Sequence, residues 1–323
     1  MNNNLKIIFL LAVVFFLGCE EKKRPLIKTD SDVYIPVYGI DKILRLNPDT
    51  YQITDTLSTG KNPHDFVFSP DANFIYAVQK EEMPTNSLWL INRKTGNKIK
   101  EIPVGSISHH LAINDDGSNL YVATNDLVMV ETGDLMVSKL IDGEKIVCVV
   151  AGNQGIFAND FAAQSIYRLD PSTNKVTDTL KPGGHPLHNK LSPNGNRLFV
   201  TLWSPNPKGS GLKVYDTRTN EEEAFVETGA DAADLDVSPD GKNVYVTNTN
   251  EGIVYNIDAT TYKVLWKHKI PAARSITVSR DGKKLFVGPM GHNTLYILNA
   301  ASGALLHSFD LGGQPSHARV LTN

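Results

Sequence analysis

One unit of roughly 40 residues recurs along the chain, and this period limits the possible folds more than any other feature of the sequence. Each copy ends a short apolar run on a turn-forming Asn or Asp. These turn residues are Asn47, Asn92, Asp170, Asp216, Asp258 and Asn299. The long gap between Asn92 and Asp170 holds one further, degenerate copy, LVMVETGD at 127–134. The chain is therefore built from a repeated supersecondary unit.

A second turn lies about twenty residues before most of these Asn or Asp turns. Its copies read FSPDANFIYAV, INDDGSNLYVAT, LSPNGNRLFVT, VSPDGKNVYVT and VSRDGKKLFVG. Each copy is typical of a strand, a tight turn and a second strand rich in Val, Tyr and Phe. Four short strands per repeat are typical of a β-propeller blade. The β-branched and aromatic residues exclude a helical repeat of the same length.

The repeats predict an all-β fold, a seven-bladed β-propeller of four-stranded blades over residues 32–323. The first unit (32–57) lacks an inner strand and its turn, whereas the chain ends with an unpaired inner-strand sequence, QPSHARVLTN (314–323). We therefore expect the C-terminal strand to complete the first blade and close the ring. Closure also removes the exposed strand edges that an open array of blades would leave.

The N-terminal segment has the pattern of a targeting signal. A short basic start precedes IIFLLAVVFFLG, whose length suits a signal peptide rather than a membrane span. Gly18 and Cys19 then lead into EEKKR, which resembles a bacterial lipoprotein signal. The resemblance implies a signal peptide over 1–18, a lipid on Cys19, a flexible tether over 19–31 and attachment to a membrane of the cell envelope, periplasmic or surface-exposed. A plain secretory signal is the alternative.

Composition narrows the function classes further. The formal net charge of −3 gives no electrostatic indication of nucleic-acid binding, which we therefore do not expect. Cys19 and Cys148 stand in different contexts, so we expect no disulfide between them. Cys148 lies in the apolar run KIVCVV and is predicted to be an inert buried thiol. Nothing in the sequence predicts an oligomeric state.

The segment PDGKNVYVTNTNEGIVYNID, with Tyr-Val-Thr-Asn at 245–248, resembles the YVTN-type β-propeller repeat of envelope and surface-layer proteins. This resemblance covers about residues 32–323. It implies the fold and leaves the function open, because such propellers host many roles. Lactonases of the phosphogluconolactonase type and haem d1 domains are similar at this level. The Pro and His of NPHD (62–65) belong to the repeat consensus, which implies a structural role for His64.

The inner strands align on the Ser, or its equivalent, that begins each Ser-Pro-Asp-Gly turn, and two polar columns result. These anchor residues are Ser69, Asn114, Ser192, Ser238 and Ser279. The column four residues before that position contains Asp65, His110, His188, Asp234, Ser275 and His317. The column two residues before it contains Val67, Ala112, Lys190, Asp236, Thr277 and Arg319. Strand alternation places both columns on one side, which we expect to face the central channel. In the fourth blade Lys145 is the nearest candidate.

These columns support two interpretations. In the first, Asp65, His110, His188, Lys190, Asp234, His317 and Arg319 line a ligand site. Either His110, His188 and His317, with Asp65 or Asp234, hold a transition metal such as zinc, copper or iron, or the histidines hold an anionic ligand together with Lys190 and Arg319. In the second, the polar residues only wet a water-filled channel. The histidines stand one per blade, without the short spacing of a strong metal motif.

The sequence therefore predicts an envelope lipoprotein whose propeller binds a protein, a glycan or a small ligand without catalysis. The alternative is a lactonase-like hydrolase, or a metal- or haem-handling periplasmic protein, that uses the channel histidines. No glutamate stands in the two polar columns, which weakens the case for a hydrolase.

Overall fold

The computed structural model describes residues 31–79, 86–105 and 107–321. The expected signal peptide, Cys19 and the expected tether up to residue 30 lie outside these residues. No helix within the described ranges is long and apolar enough to cross a membrane. The first described strand begins at Val33, next to the expected domain boundary at residue 32.

Seven antiparallel sheets follow one another along the chain, and each sheet is one blade. Blade 1 contains β1 (Val33–Tyr38), β2 (Lys42–Leu46) and β3 (Ile53–Ser58). Blade 2 contains β4 (Pro63–Phe68), β5 (Phe74–Gln79), β6 (Asn86–Asn92) and β7 (Lys98–Gly105). Blade 3 contains β8 (Leu111–Ile113), β9 (Asn119–Ala123), β10 (Leu127–Glu131) and β11 (Val137–Ile141). Blade 4 contains β12 (Ile146–Gly152), β13 (Gly155–Asp160), β14 (Ser165–Leu169) and β15 (Val176–Leu180).

The remaining blades have the same order of strands. Blade 5 contains β16 (His185–Leu191), β17 (Arg197–Trp203), β18 (Gly211–Asp216) and β19 (Glu222–Glu227), with a short 3₁₀ turn at Pro207–Gly209. Blade 6 contains β20 (Ala232–Val237), β21 (Asn243–Asn248), β22 (Ile253–Asp258) and β23 (Val264–Lys269). Blade 7 contains β24 (Ala273–Val278), β25 (Lys284–Pro289), β26 (Thr294–Asn299) and β27 (Leu305–Asp310). The two short strands β28 (Gln314–Pro315) and β29 (Arg319–Val320) end the fold.

The C-terminal strands take the inner position of blade 1. β28 and β29 both pair antiparallel with β1, so that Pro315 lies opposite Val37 and Val320 lies opposite Val33. Blade 1 is therefore completed by residues from the far end of the chain. This pairing confirms the seven-bladed all-β propeller and its predicted closure.

Apolar side chains between neighbouring blades form the core. Between blades 7 and 1, for example, Phe286 and Ile297 pack in one cluster with Val33 and Ile35, and all four are almost fully buried. Each such side chain contributes roughly 1.5–3 kcal/mol when it is removed from water. The outermost strands behave differently, as exposed Leu305 in β27 illustrates. The stability of the fold therefore comes from the packing of neighbouring blades against each other, and every blade needs another blade on each side.

The Ser-Pro-Asp-Gly turns share one hydrogen-bond pattern. In blade 6 the Ser238 hydroxyl donates to Asp240 Oδ1 at 2.7 Å and accepts from the backbone N–H of Asn243 at 2.9 Å. Gly241 has a φ of +72°, which an L side chain rarely adopts. The turns that begin at Ser69, Ser192 and Ser279 repeat the pattern. The turn thus fixes where each inner strand ends.

The inner strands of five blades shift register close to the same level. The shifts lie between Pro63 and Asp65, Ile146 and Cys148, Pro186 and Asn189, Ala232 and Leu235, and Ala273 and Ser275. Such bulges cancel the strict alternation of a strand and re-aim side chains. They determine which residues meet at the axis of the propeller.

Candidate binding site in the central channel

Each blade contributes one residue from its innermost segment at the level of these bulges; His110 directly precedes β8, and His317 lies between β28 and β29. In blade order these residues are His317, Asp65, His110, Cys148, His188, Asp234 and Ser275. Blade 4 contributes Cys148 and not Lys145, because the register shift places Cys148 opposite Asn159, just as Asp65 lies opposite Val78. The Lys145 ammonium instead lies 5.1 Å from the ring centroid of Phe161.

The three histidines of this set, from blades 1, 3 and 5, meet at the axis. The Nε2 atoms of His110 and His188 are 3.0 Å apart. The ring centroid of His317 lies 4.2 Å from that of His110 and 5.0 Å from that of His188. All three side chains are buried. Because these residues are far apart in the sequence, the closed ring of blades is what brings the imidazoles together.

A fourth imidazole, that of His64, lies beside this group. Its ring centroid is 5.5 Å from that of His110 and 5.2 Å from that of His317. Its Nδ1 is within hydrogen-bond distance of the Tyr38 hydroxyl and 3.1 Å from Ser316 Oγ. The repeat consensus does not predict this placement. Strict alternation in β4 would point His64 and Asp65 to opposite faces, but the register shift between Pro63 and Asp65 breaks that alternation.

Asp65 is fully buried and has two partners. Its Oδ2 lies 2.9 Å from His110 Nδ1, and Arg319 donates to its two oxygens at 3.0 and 2.6 Å. Burial alone would raise the pKa of Asp65, but Arg319 and His110 outweigh burial and hold the pKa well below its usual range. The carboxylate is therefore ionised at neutral pH. Arg319 is committed to this carboxylate rather than to the channel centre.

Asp234 faces the histidines from blade 6. Its Oδ2 lies 3.2 Å from His317 Nδ1 and accepts the backbone N–H of Ile276 at 3.1 Å. Its Oδ1 lies 2.9 Å from His188 Nδ1, but the two are not aligned as a hydrogen bond and this nitrogen has no hydrogen-bond partner. Burial alone would raise the pKa of Asp234, but His188 and His317 hold the pKa well below its usual range.

His110 and His188 are neutral at pH 7. Burial lowers the pKa of His110 well below its usual value, and the neighbouring His317 and His188 lower it further. Burial also lowers the pKa of His188 to about 4, although Asp234 opposes this shift. A neutral imidazole has one N–H and one lone pair, so each ring can donate once and accept, or bind a metal, once.

A cavity of about 690 Å³ opens beside the histidines. It extends from His110, His188 and His317 to Pro193 and Pro239 in the Ser-Pro turns. This volume is within the range of roughly 300–1,000 Å³ that small-molecule sites have. The histidines therefore form the floor of a channel large enough for a small organic molecule.

The second column predicted from the sequence forms the cavity wall, and the two halves of that wall differ. Blades 5, 6, 7 and 1 contribute Lys190, Asp236, Thr277 and Arg319. Blades 2, 3 and 4 contribute Val67, Ala112 and Val150. Lys190 Nζ lies 3.7 Å from Asp236 Oδ1, which is longer than a hydrogen bond. The channel thus has one polar, charged side and one apolar side.

Cys148 lies in the cavity wall of blade 4. Its thiol is 3.3 Å from the side-chain oxygen of Asn189, whose amide nitrogen in turn donates to Asn159 and to the backbone carbonyl of Phe157. Burial raises the pKa of the Cys148 thiol to about 12. The thiol stays protonated at neutral pH, as expected for an inert buried cysteine.

The sheet topology and the axial cluster define a seven-bladed β-propeller with a polar floor in its central channel. The chain belongs to the YNCE-like beta-propeller family, whose model matches residues 24–322. It is 27% identical over 214 residues to Antigen Lp49 of Leptospira interrogans, a match that covers 59% of this chain and 46% of that protein. It is 29% identical over 185 residues to the uncharacterized protein YncE of Salmonella typhi, which covers 51% of each chain. The chain spans about half the length of these curated relatives.

Solved structures show the same architecture. A putative 6-phosphogluconolactonase from Bacteroides uniformis superposes with a TM-score of 0.72 at 19% identity, covering 90% of this chain and 100% of that chain. The dihydro-heme d1 dehydrogenase NirN superposes with a TM-score of 0.62 at 14% identity, covering 92% and 77%. At these identities the likeness extends to the fold alone.

Proposed function

We propose that this chain is a cell-envelope lipoprotein, anchored through a lipid on Cys19, whose propeller binds a small ligand in the central channel without transforming it. The cavity of about 690 Å³ with charged groups on one wall is the observation that carries the binding function. The anchor rests on the apolar segment that ends in FLGC before the charged run EEKKR.

The two-sided wall indicates the chemistry of the ligand. Lys190 and Asp236 form a loose pair, with their side chains 31% and 16% exposed, so a ligand can replace each partner with a group of its own. Val67, Ala112 and Val150 on the other side accept an apolar surface. The channel therefore suits a small molecule with an apolar face and a zwitterionic edge, such as an apolar amino acid or a dipeptide.

Calorimetric titration of the purified propeller with apolar amino acids and dipeptides tests the binding. We expect saturable binding of one molecule per chain. Lys190→Met should weaken it at least tenfold, because the anionic group of the ligand loses its partner. Lys98→Met on the outer strand β7 is the matched control and should leave the affinity unchanged, because Lys98 pairs with Glu101 far from the cavity.

Two results would overturn the binding function. One is the absence of saturable binding by every member of the panel. The other is equal affinity in Lys190→Met and wild type, which would place the ligand outside the channel. The anchor is tested separately: Cys19→Ala should move the protein from the membrane fraction to the soluble fraction and abolish labelling by a radioactive fatty acid.

Catalysis is the competing function. Neutral His188 beside ionised Asp234 can accept a proton from a water or a substrate in the cavity. A hydrolase would convert a sugar lactone or a dipeptide during hours of incubation, and the products are visible by NMR. Turnover lost in His188→Gln would assign catalysis to this site and end the non-catalytic proposal.

A further inference from the structure

His110 and His188 each have a carboxylate behind one ring nitrogen and meet each other through the other ring nitrogen. His110 Nδ1 lies 2.9 Å from Asp65, and His188 Nδ1 lies 2.9 Å from Asp234. The His188–Asp234 contact is not aligned as a hydrogen bond, so His188 Nδ1 is a buried nitrogen without a hydrogen-bond partner. The two Nε2 atoms are 3.0 Å apart, a separation that two ligand atoms of one metal ion can have.

A metal ion held between the two Nε2 atoms suits this arrangement. Each imidazole would offer its Nε2 lone pair to the ion and keep its proton on Nδ1, which faces Asp65 in His110 and Asp234 in His188. The same tautomer suits His317, whose Nδ1 lies 3.2 Å from Asp234.

We propose that His64, His110, His188 and His317 bind one late transition-metal ion, Zn²⁺ or Cu²⁺, on the axis of the propeller. One ligand-type atom from each of His64, His110 and His317 lies within 4.8 Å of the others, and the same holds for His188, Asp234 and His317. Donor atoms on a single ion are separated by about 3–4 Å when the bonds are 2.0–2.1 Å long. The site does not depend on the organic ligand proposed above.

The donors determine the class of metal. Imidazole nitrogens favour zinc, copper and nickel, whereas magnesium and calcium take oxygen ligands. Two nitrogens 3.0 Å apart, each 2.0–2.1 Å from one ion, subtend an angle of about 91–97°. The Cys148 thiol takes no part, because it is directed at Asn189.

Asp65 and Asp234 are positioning residues in this site. Carboxylates on the outer nitrogens of ligating histidines fix the ring orientation and strengthen the donor nitrogen. Asp65 orients His110 and is itself held by Arg319. Asp234 contacts two ligands and is held by the backbone N–H of Ile276. The imidazoles of His110, His188 and His317 therefore each have a carboxylate on the side away from the ion.

Titration of metal-stripped protein with Zn²⁺ tests the proposal. After dialysis against EDTA, we expect wild type to bind one equivalent and to melt at a higher temperature when loaded. His110→Gln and His317→Gln should each weaken Zn²⁺ at least a hundredfold and abolish the thermal shift. With Cu²⁺ as the probe, electron paramagnetic resonance should show coupling to several imidazole nitrogens.

His292→Gln is the matched control, because His292 is exposed in the loop between β25 and β26; its Zn²⁺ affinity should equal that of wild type. The melting temperature of each metal-free variant shows whether it folds. Asp234→Asn should keep one equivalent, weaken Zn²⁺ by roughly 10–100-fold and shift the copper spectrum. Binding of well under one equivalent by wild type, or equal losses in His292→Gln and His110→Gln, would overturn the metal site.

Discussion

Individual residues at the channel floor work against stability. Two ionised carboxylates, a guanidinium and four imidazoles occupy the place where a propeller could be packed with apolar side chains. Even a well-formed buried ion pair such as Asp65–Arg319 is often no more stable than a hydrophobic replacement of the same shape. Such groups support the proposed binding function, because perturbed pKa values and buried charge concentrate where chemistry or binding occurs.

The residue scale predicts an acid-sensitive fold. His188 has a pKa of about 4 in the folded protein against roughly 6.5 in the unfolded chain, so the unfolded chain binds the extra proton between these values. The free energy of unfolding should therefore be fully present above pH 6.5 and fall by up to about 3 kcal/mol as the pH drops through 4. His110 acts in the same direction. Urea unfolding at pH 7.5 and pH 5, with EDTA present, measures the loss.

His188→Gln removes this titration and should reduce the dependence on pH to the part that His110 contributes, whereas the exposed His292→Gln should keep the wild-type slope. An unchanged slope in His188→Gln would contradict the assignment of the neutral imidazole. At still lower pH the protonation of Asp65 and Asp234 adds a further loss in both proteins, since both carboxylates have depressed pKa values.

At the scale of the element, the inner strand and its turn form the working unit of each blade. The Ser hydroxyl closes the turn, the glycine takes the left-handed conformation, and the bulge upstream re-aims the ring residue. The sequence predicts the turn because its residue types are specific. The bulge has no characteristic residue type, so only the register of strand pairing shows where the side chains of His64 and Cys148 lie.

Gly282→Ala tests the turn of blade 7. Gly282 has a φ of +72°, and an added Cβ would lie 3.4 Å from Pro239, so the cost comes from backbone strain rather than from a clash. We expect a loss of about 1 kcal/mol in the free energy of unfolding. Gly133→Ala is the control, because nothing lies within 4 Å of its added Cβ and its φ is ordinary; it should be neutral or slightly stabilising. Equal effects at both positions would contradict the role of the turn.

At the scale of the whole molecule, closing the ring also assembles the channel site. The C-terminal strands complete blade 1 and also bring His317 and Arg319 to the residues they contact, Asp234 and Asp65. A chain that opens here therefore loses its last inner strand together with His317 and Arg319 of the polar floor.

Deleting residues 314–323 tests this coupling. The truncated chain exposes β1 and leaves Asp65 and Asp234 without Arg319 and His317, so we expect its melting temperature to fall by more than 10 °C, or the protein to aggregate. A synthetic peptide of residues 312–323, added in trans, should restore much of the loss by pairing with β1. A scrambled peptide of the same composition is the control. A truncated chain that melts at the wild-type temperature would contradict closure by the C-terminal strand.

The sequence by itself determined the number of blades, the four-stranded unit and the closing strand, because all three follow from a repeated local pattern. It also determined the ring positions of Asp65, His110, His188 and Asp234, since these residues keep a fixed distance to a recognisable turn. His317 joins them because the C-terminal segment QPSHARVLTN has the pattern of an inner strand.

Only the tertiary structure decided how those residues meet. Three contacts depend on the bulges and on the closed ring. They are the ion pair of Arg319 with Asp65, the packing of His64 beside His110 and the 3.0 Å contact of His110 with His188. The physical reason is one of range: turn and strand preferences act within a few residues, whereas these contacts join side chains up to 254 positions apart. The packing of the seven blades sets such distances, and no local sequence pattern does.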